Sequence, residues 1–168
     1  MIDTACVYLP DRILTKLTSL HIQVIMLSET MRIERECMGG CVRKLNRMVT
    51  TIYDSAFAGA GLKTTQFGML VVIANRGKAR PAELTKLLQL DESTLSRNVE
   101  RMRAKGWLRL KSDGDRRSHA IELTEKGEAL LRKCLPMWRR VQDDVAKRLG
   151  AESVAVLRSA VRRLPLPA

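Results

Sequence analysis

Aromatic side chains are scarce in this 168-residue sequence: two Phe, two Tyr and two Trp, 4% of the chain. Proteins that bind single-stranded nucleic acid by stacking need exposed aromatic platforms, so the scarcity argues against that class. It also leaves Leu, Val, Ile and Met to build the core. Two histidines (His21, His119) and four cysteines (Cys6, Cys37, Cys41, Cys134) form neither a C-x-x-C pair nor a metal-ligand spacing. No metal and no cofactor is expected. No run approaches the roughly 20 apolar residues of a membrane-spanning helix. The uncharged stretch 17–28 is too short, and no A-x-A-like cleavage site follows it. The expectation is a cytoplasmic, reducing location with no membrane partner. Gly-rich phosphate loops and nucleophile–base arrangements are also missing, which gives an enzyme reading no support.

What the chain has in quantity is positive charge: 30 Lys+Arg against 18 Asp+Glu, a net +12 and a pI near 10.1. Half of that excess lies in residues 76–119, which hold 12 Lys+Arg and 6 Asp+Glu. A polyanionic partner follows, nucleic acid ahead of an anionic membrane.

Hydrophobic periodicity divides the chain into four parts: 1–36, 37–60, 61–123 and 124–168. Residues 1–36 lack a clean helical period and contain Pro10; they read as an arm that stabilises a dimer, or as an extension upstream of a natural start at Met31. After Gly39-Gly40, the residues Leu45, Met48, Val49, Ile52, Tyr53 and Ala56 recur at helical steps until Gly59-Ala60-Gly61. Thr64 or Thr65 is suited to cap a buried helix that Asn75-Arg76-Gly77 closes. Pro81 suits the first turn of a short helix with Leu84, Leu87 and Leu88 on its inner face. Gln89-Leu90 makes a turn, and Asp91 caps a second helix with Leu95, Val99 and Met102 inward.

Two helices joined by a short turn form a helix-turn-helix unit. A strand pattern follows, with Leu108 and Leu110, then Ile121 and Leu123, around an Asp113-Gly114 turn. Thr124 caps a long helix with Leu130, Leu131, Cys134, Trp138, Val141, Val145 and Leu149 in a stripe, which Pro136 is expected to kink or divide. After Gly150, a last helix carries Val154, Leu157, Val161 and Leu164. The fold class is mostly α with a small β-hairpin wing: a winged helix-turn-helix lobe plus N- and C-terminal dimerisation helices. The lobe leaves a surplus of apolar surface on the flanking helices, and a second copy is the expected cover, giving a homodimer.

The polar edge of the second helix suits double-stranded DNA. Ser93, Thr94, Ser96 and Arg97 occupy its first half, the part that enters the major groove. Arg97 is the expected base reader, since a guanidinium bonds guanine O6 and N7 together. Arg101 is expected on phosphate. At the ribbon tip, Asp115, Arg116 and Arg117 suit the minor groove, with the carboxylate orienting a guanidinium. Lys78, Arg80, Arg109 and Lys111 are expected to neutralise the DNA backbone.

The chain resembles the MarR family of dimeric bacterial transcription regulators from about Cys37 to Leu164. The words that carry the resemblance are Arg43…Arg47-Met48-Val49-Thr50…Tyr53-Asp54, Gly61-Leu62-Lys63-Thr64-Thr65-Gln66-Phe67 and Leu90-Asp91-Glu92-Ser93-Thr94-Leu95-Ser96-Arg97. The most specific is Asp115-Arg116-Arg117-Ser118 leading to Leu123-Thr124-Glu125-Lys126-Gly127. The resemblance implies a triangular homodimer on a pseudo-palindromic operator, with Asp115 and Arg117 as the wing's minor-groove device. It implies a repressor released by a small effector, for which Met48, Tyr53, Phe67, Met69 and Trp138 are the candidate aromatic or phenolic pocket. Oxidant-sensing members of the family often place a reactive cysteine near the start of the first dimer helix, where Cys37 and Cys41 stand, with Arg43, Lys44 and the helix N-terminus able to favour a thiolate. Sensing of oxidants through these cysteines is the alternative switch, and a non-specific architectural DNA-binding protein the remote one.

Overall fold

The computed structural model describes residues 11–112 and 119–164, with side chains from residue 20 onward except that of Ser112. In chain order the elements are α1 (Asp11–Glu36), α2 (Met38–Phe57), a 3-10 turn (Ala58–Ala60), α3 (Thr64–Arg76), β1 (Lys78–Ala79), α4 (Pro81–Leu88), α5 (Glu92–Ala104), β2 (Leu108–Ser112), β3 (His119–Leu123), α6 (Glu125–Leu149) and α7 (Ala151–Arg163). The chain groups into two units that divide between Arg47 and Met48. Among the described residues no single helix is long and apolar enough to cross a membrane.

The first unit holds α1 and the start of α2. Where the sequence shows no clean period, a 26-residue helix forms. Its apolar residues occur on every side, and Leu20, Ile22, Val24, Ile25, Met26, Leu27, Met31 and Ile33 are all exposed. Only Cys37 separates α1 from α2. Its N–H still donates to the Ile33 carbonyl and its own carbonyl accepts from the Cys41 N–H, each at 2.9 Å. α2 starts at Met38, so Gly39 and Gly40 lie inside the helix rather than before it.

The second unit is built around α3, whose Phe67, Met69, Leu70 and Ile73 are buried. They join Phe57, Leu84, Leu95, Val99, Met102, Trp107, Ile121 and Cys134 in one core. Each such side chain removed from water contributes roughly 1.5–3 kcal/mol. Phe57 stacks on Phe67 with centroids 4.7 Å apart. Three antiparallel strands lie in the order β1-β3-β2. β1 is additional to the expected hairpin, pairing Lys78 with Glu122 and Ala79 with Ile121. A two-residue strand has no periodicity to read, which is why the sequence pattern does not disclose it.

Three local expectations change. α3 is capped at Lys63, whose N–H donates to Gln66 Oε1 at 3.1 Å; Thr64 is already helical, and Thr65 is the second residue of the helix. Leu87 is exposed, leaving Leu84 and Leu88 to face inward from α4. Pro136 does not divide α6, which runs unbroken from Glu125 to Leu149. Proline there frees the carbonyl of Arg132, and both residues are exposed, so water can satisfy it.

The start of α6 explains the Leu-Thr-Glu-Lys-Gly word. Thr124 Oγ1 accepts from the Gly127 N–H at 3.1 Å and donates to the Gly106 carbonyl at 2.6 Å. The Thr124 N–H donates to the Trp107 carbonyl at 3.1 Å. A Cβ on Gly127 would stand 2.1 Å from that same carbonyl oxygen, so only glycine allows α6 to begin this close to β2. These contacts join the end of α5, the wing and α6 into one frame.

Candidate nucleic-acid interface

Local chemistry fixes the geometry of α4 and α5. Pro81 occupies the first turn of α4, and the Arg80 N–H donates to Glu83 Oε2 at 2.9 Å. α4 ends on Gln89, left-handed at φ 52°, and the Leu90 N–H closes back to the Thr85 carbonyl at 3.1 Å. Asp91 then caps α5, accepting from the Thr94 N–H at 2.7 Å. The pair is therefore a helix-turn-helix with a three-residue turn, as the sequence predicts. Leu95, Val99 and Met102 are buried beneath α5. Ser93, Ser96, Arg97, Glu100 and Arg101 lie exposed on the other side.

The exposed edge is more organised than residue types alone suggest. Asp91 Oδ1 accepts from Ser93 Oγ at 2.6 Å, and Asp91 Oδ2 accepts from Thr94 Oγ1 at 2.7 Å. Hydrogen bonds from Ser93 and Thr94 hold the Asp91 carboxyl well below the usual carboxylate range. Arg97 folds back one turn: its Nη2 donates to Ser93 Oγ at 2.9 Å and its Nε to the Ser93 carbonyl at 3.1 Å. A chain of charge-assisted bonds thus runs Arg97–Ser93–Asp91. Ser93 and Thr94 have committed their hydroxyl protons to the cap and can act only as acceptors. Phosphate oxygens accept as well, so in this arrangement these two hydroxyls are not phosphate donors. The Ser96 hydroxyl makes no hydrogen bond to another described residue. Asn98, which the sequence reading passes over, donates to the Thr94 carbonyl at 2.8 Å and braces the same turn.

On the sheet, Arg109 and Lys111 do not stand alone as backbone neutralisers. Arg109 Nη2 and Nε both lie 2.9 Å from Glu122 Oε2, and Lys111 Nζ is 3.7 Å from Glu122 Oε1. These cations keep the Glu122 carboxyl below its ordinary range, the Arg109 hydrogen bond contributing most. Lys78 sits opposite Glu122 in the β1–β3 register, and Arg80 is exposed at the start of α4. Asp115, Arg116 and Arg117, expected at the ribbon tip, lie outside the described residues, as does the Asp113-Gly114 turn.

The five candidate pocket residues do not share one setting. Phe67 and Met69 are closed in the core. Tyr53 is half-buried against that core and donates to Gln142 Oε1 at 2.5 Å. Met48 and Trp138 keep exposed surface. Cys37 and Cys41 are exposed, and the Gly40 N–H reaches Cys37 Sγ at 3.4 Å. Cys134 is buried, and burial pushes its thiol pKa up. Among the described residues no group of three or more His, Cys, Asp or Glu is placed to hold a metal ion.

Comparison with known proteins places this geometry among relatives. Residues 60–118 match the family model described as MarR family. The chain is 35% identical over 124 residues to the HTH-type transcriptional repressor NicR of Pseudomonas putida, covering 73% of this chain and 78% of that protein. Its fold superposes on a mutant MarR of Escherichia coli complexed with operator DNA (TM-score 0.71, 25% identity, 79% of this chain and 97% of that one). It also superposes on the transcriptional regulator MosR of M. tuberculosis in complex with DNA (TM-score 0.65, 35% identity, 78% and 100%).

Proposed function

The chain belongs to the MarR family, and on that premise we propose that it is a transcriptional repressor, a homodimer holding two helix-turn-helix lobes against a pseudo-palindromic double-stranded DNA operator. The observation that carries this reading is the exposed edge of α5, where Arg97 is tethered through Ser93 to the capping Asp91. A guanidinium oriented before binding loses less side-chain entropy when it meets a guanine edge. Arg97 is the base reader, Ser96 a second contact, and Arg101 a phosphate contact beyond the first turn. Ser93 and Thr94 act mainly by positioning.

Lys78 and Arg80 supply salt-dependent attraction from the base of the lobe. The wing's Asp115, Arg116 and Arg117 are assigned to the adjacent minor groove on sequence grounds. The dimer is assigned to residues 37–60 and 124–168 around a lobe of 61–123. Exposed Met48, Trp138, Val156, Val161 and Leu164 support that assignment as apolar surface for a second copy to cover. The working place is the cytoplasm, where the DNA is.

Release from DNA by a small aromatic or phenolic effector is proposed to act where Tyr53, Met48 and Trp138 retain surface, since Phe67 and Met69 are closed. Competition binding at fixed salt tests the whole reading. An operator recovered by selection from a random pool is expected to resist random duplex by at least a thousandfold. Equal affinity for every duplex would replace the repressor by a non-specific architectural protein.

A further inference from the structure

The two DNA-bound neighbours are matched over 97% and 100% of their own length, yet they cover only 79% and 78% of this chain. About a fifth of the chain lies outside each match, a share comparable to that of residues 1–36. We propose that α1 is a second dimerisation element, pairing antiparallel with the α1 of another copy. The inference rests on the homodimer reading above and extends it.

Spacing is the first argument. Leu20, Val24, Leu27 and Met31 follow one another at steps of four, three and four, the repeat of a coiled-coil seam, and they are 55–62% exposed. Ile22, Ile25 and Met26 lie round the rest of the helix, away from that seam.

Charge selects the occupant. α1 has four acidic and four basic residues, a net of zero in a chain of net +12. It therefore offers no attraction to DNA. It also lacks the Lys/Arg-rich polar face by which interfacial helices bind anionic lipid. A neutral helix can approach its own copy without the repulsion that the rest of the chain would feel.

Orientation follows from where the charges lie. Within residues 20–36 they are confined to the last eight: Glu29, Arg32, Glu34, Arg35 and Glu36. A parallel in-register pair would set Glu34, which continues the seam three residues past Met31, against its own counterpart. An antiparallel pair centred between Ile25 and Met26 sends the two 29–36 segments apart. It also sets Leu20 against the partner's Met31 and Val24 against the partner's Leu27.

The test uses the full chain. Val24→Glu with Leu27→Glu changes two exposed positions and is expected to raise the dimer dissociation constant at least tenfold in sedimentation equilibrium, with helix content unchanged by circular dichroism. Independently, Leu20→Cys with Met31→Cys, in a chain with Cys6, Cys37 and Cys41 changed to Ser, should give a covalent dimer under mild oxidation. Leu20→Cys alone should not. The two positions are about 16 Å apart along one helix, so no bridge forms within a copy. Cross-linking of the Leu20→Cys single variant overturns the antiparallel arrangement. A wild-type dimer whose constant the glutamates leave unchanged, with no cross-link in the double variant, overturns the inference while the homodimer reading stands. Sedimentation of wild type, but not of the glutamate variant, with anionic phospholipid vesicles at unchanged dimer affinity assigns α1 to a membrane and overturns it as well. A wild-type chain that stays monomeric at micromolar concentration sinks the homodimer reading itself.

Discussion

Ser93→Ala separates two roles that a serine in a recognition helix can play. In the structure Ser93 Oγ receives Arg97 Nη2 at 2.9 Å and donates to Asp91 at 2.6 Å, while its carbonyl receives Arg97 Nε at 3.1 Å. Alanine removes the first two bonds and keeps the third. Arg97 then retains one of its two tethers, and Asp91 retains the Thr94 N–H and O–H. The lost bond is charge-assisted but exposed, so it is worth about 0.5–1 kcal/mol, a two- to fivefold weakening of operator binding. Arg97→Ala loses the base contact itself, about 1–3 kcal/mol, and relaxes preference at one base pair of each half-site.

If Ser93 acts only through Arg97, the two losses do not add. The double variant should bind within roughly 0.5 kcal/mol of Arg97→Ala alone. Fluorescence anisotropy at one salt concentration, on the selected operator and its single-base variants, measures all four corners of the cycle. Melting temperatures of the four proteins control for damage to the α5 cap. Additive losses would show that Ser93 touches DNA on its own account and refute the positioning role. Unchanged base preference in Arg97→Ala would remove Arg97 as the reader.

Three further outcomes concern other positions in the chain. Gly127→Ala drives a Cβ to 2.1 Å from the Trp107 carbonyl oxygen and should cost about 3 kcal/mol, the upper end for overpacking; an unshifted melting temperature would contradict so close a contact. Burial pushes the Asp54 pKa up, but the Thr64 N–H and O–H and the Lys63 ammonium outweigh it, and the net direction is down. Asp54 therefore stabilises the fold above about pH 4 and ceases to do so as the pH falls through its lowered value. Asp54→Asn should lower the melting temperature at pH 7 and approach wild type in acid; a gap that does not narrow as the pH falls would refute the ionic account. For Cys37 and Cys41, peroxide should abolish operator binding in wild type and spare the double serine variant if oxidation is the switch. Unaltered binding in wild type leaves the small effector as the signal.

The elements that were legible in the sequence are those governed by neighbours in the chain. Asp91 and Thr124 cap their helices and Pro81 opens α4 because capping needs only a side chain and an N–H two or three residues away. The buried edge of α5 was legible for a similar reason: Leu95, Val99 and Met102 repeat at the helical step. What needed the fold was pairing over distance. Glu122 gathers Arg109 and Lys111 across the sheet, and β1 exists only because β3 offers it a partner. α1 went unread because Ile22, Ile25, Met26 and Ile33 lie off the Leu20–Val24–Leu27–Met31 repeat and blur it, and a period is visible only when one face differs from the others.

The exposed edge of α5 was legible as an edge, but not the bonds that tie its side chains together, and the reason lies in the physics of helix ends. Short hydroxyl side chains suit DNA because they reach donors and acceptors at close range. The same property makes them the natural partners of an N-cap carboxylate. In the first turn of α5 the cap takes precedence, since Asp91 is there whether or not DNA is. Ser93 and Thr94 are drawn to it, and Arg97, one turn further along, is held by the oxygens of Ser93. In the reading proposed above, discrimination by α5 then falls to Arg97 and Ser96. The wider positive charge, partly neutralised on the sheet by Glu122, supplies attraction without sequence preference. A chain with so few direct readers per copy must read a long operator by using two copies, which makes the dimer part of the specificity and not only of the stability.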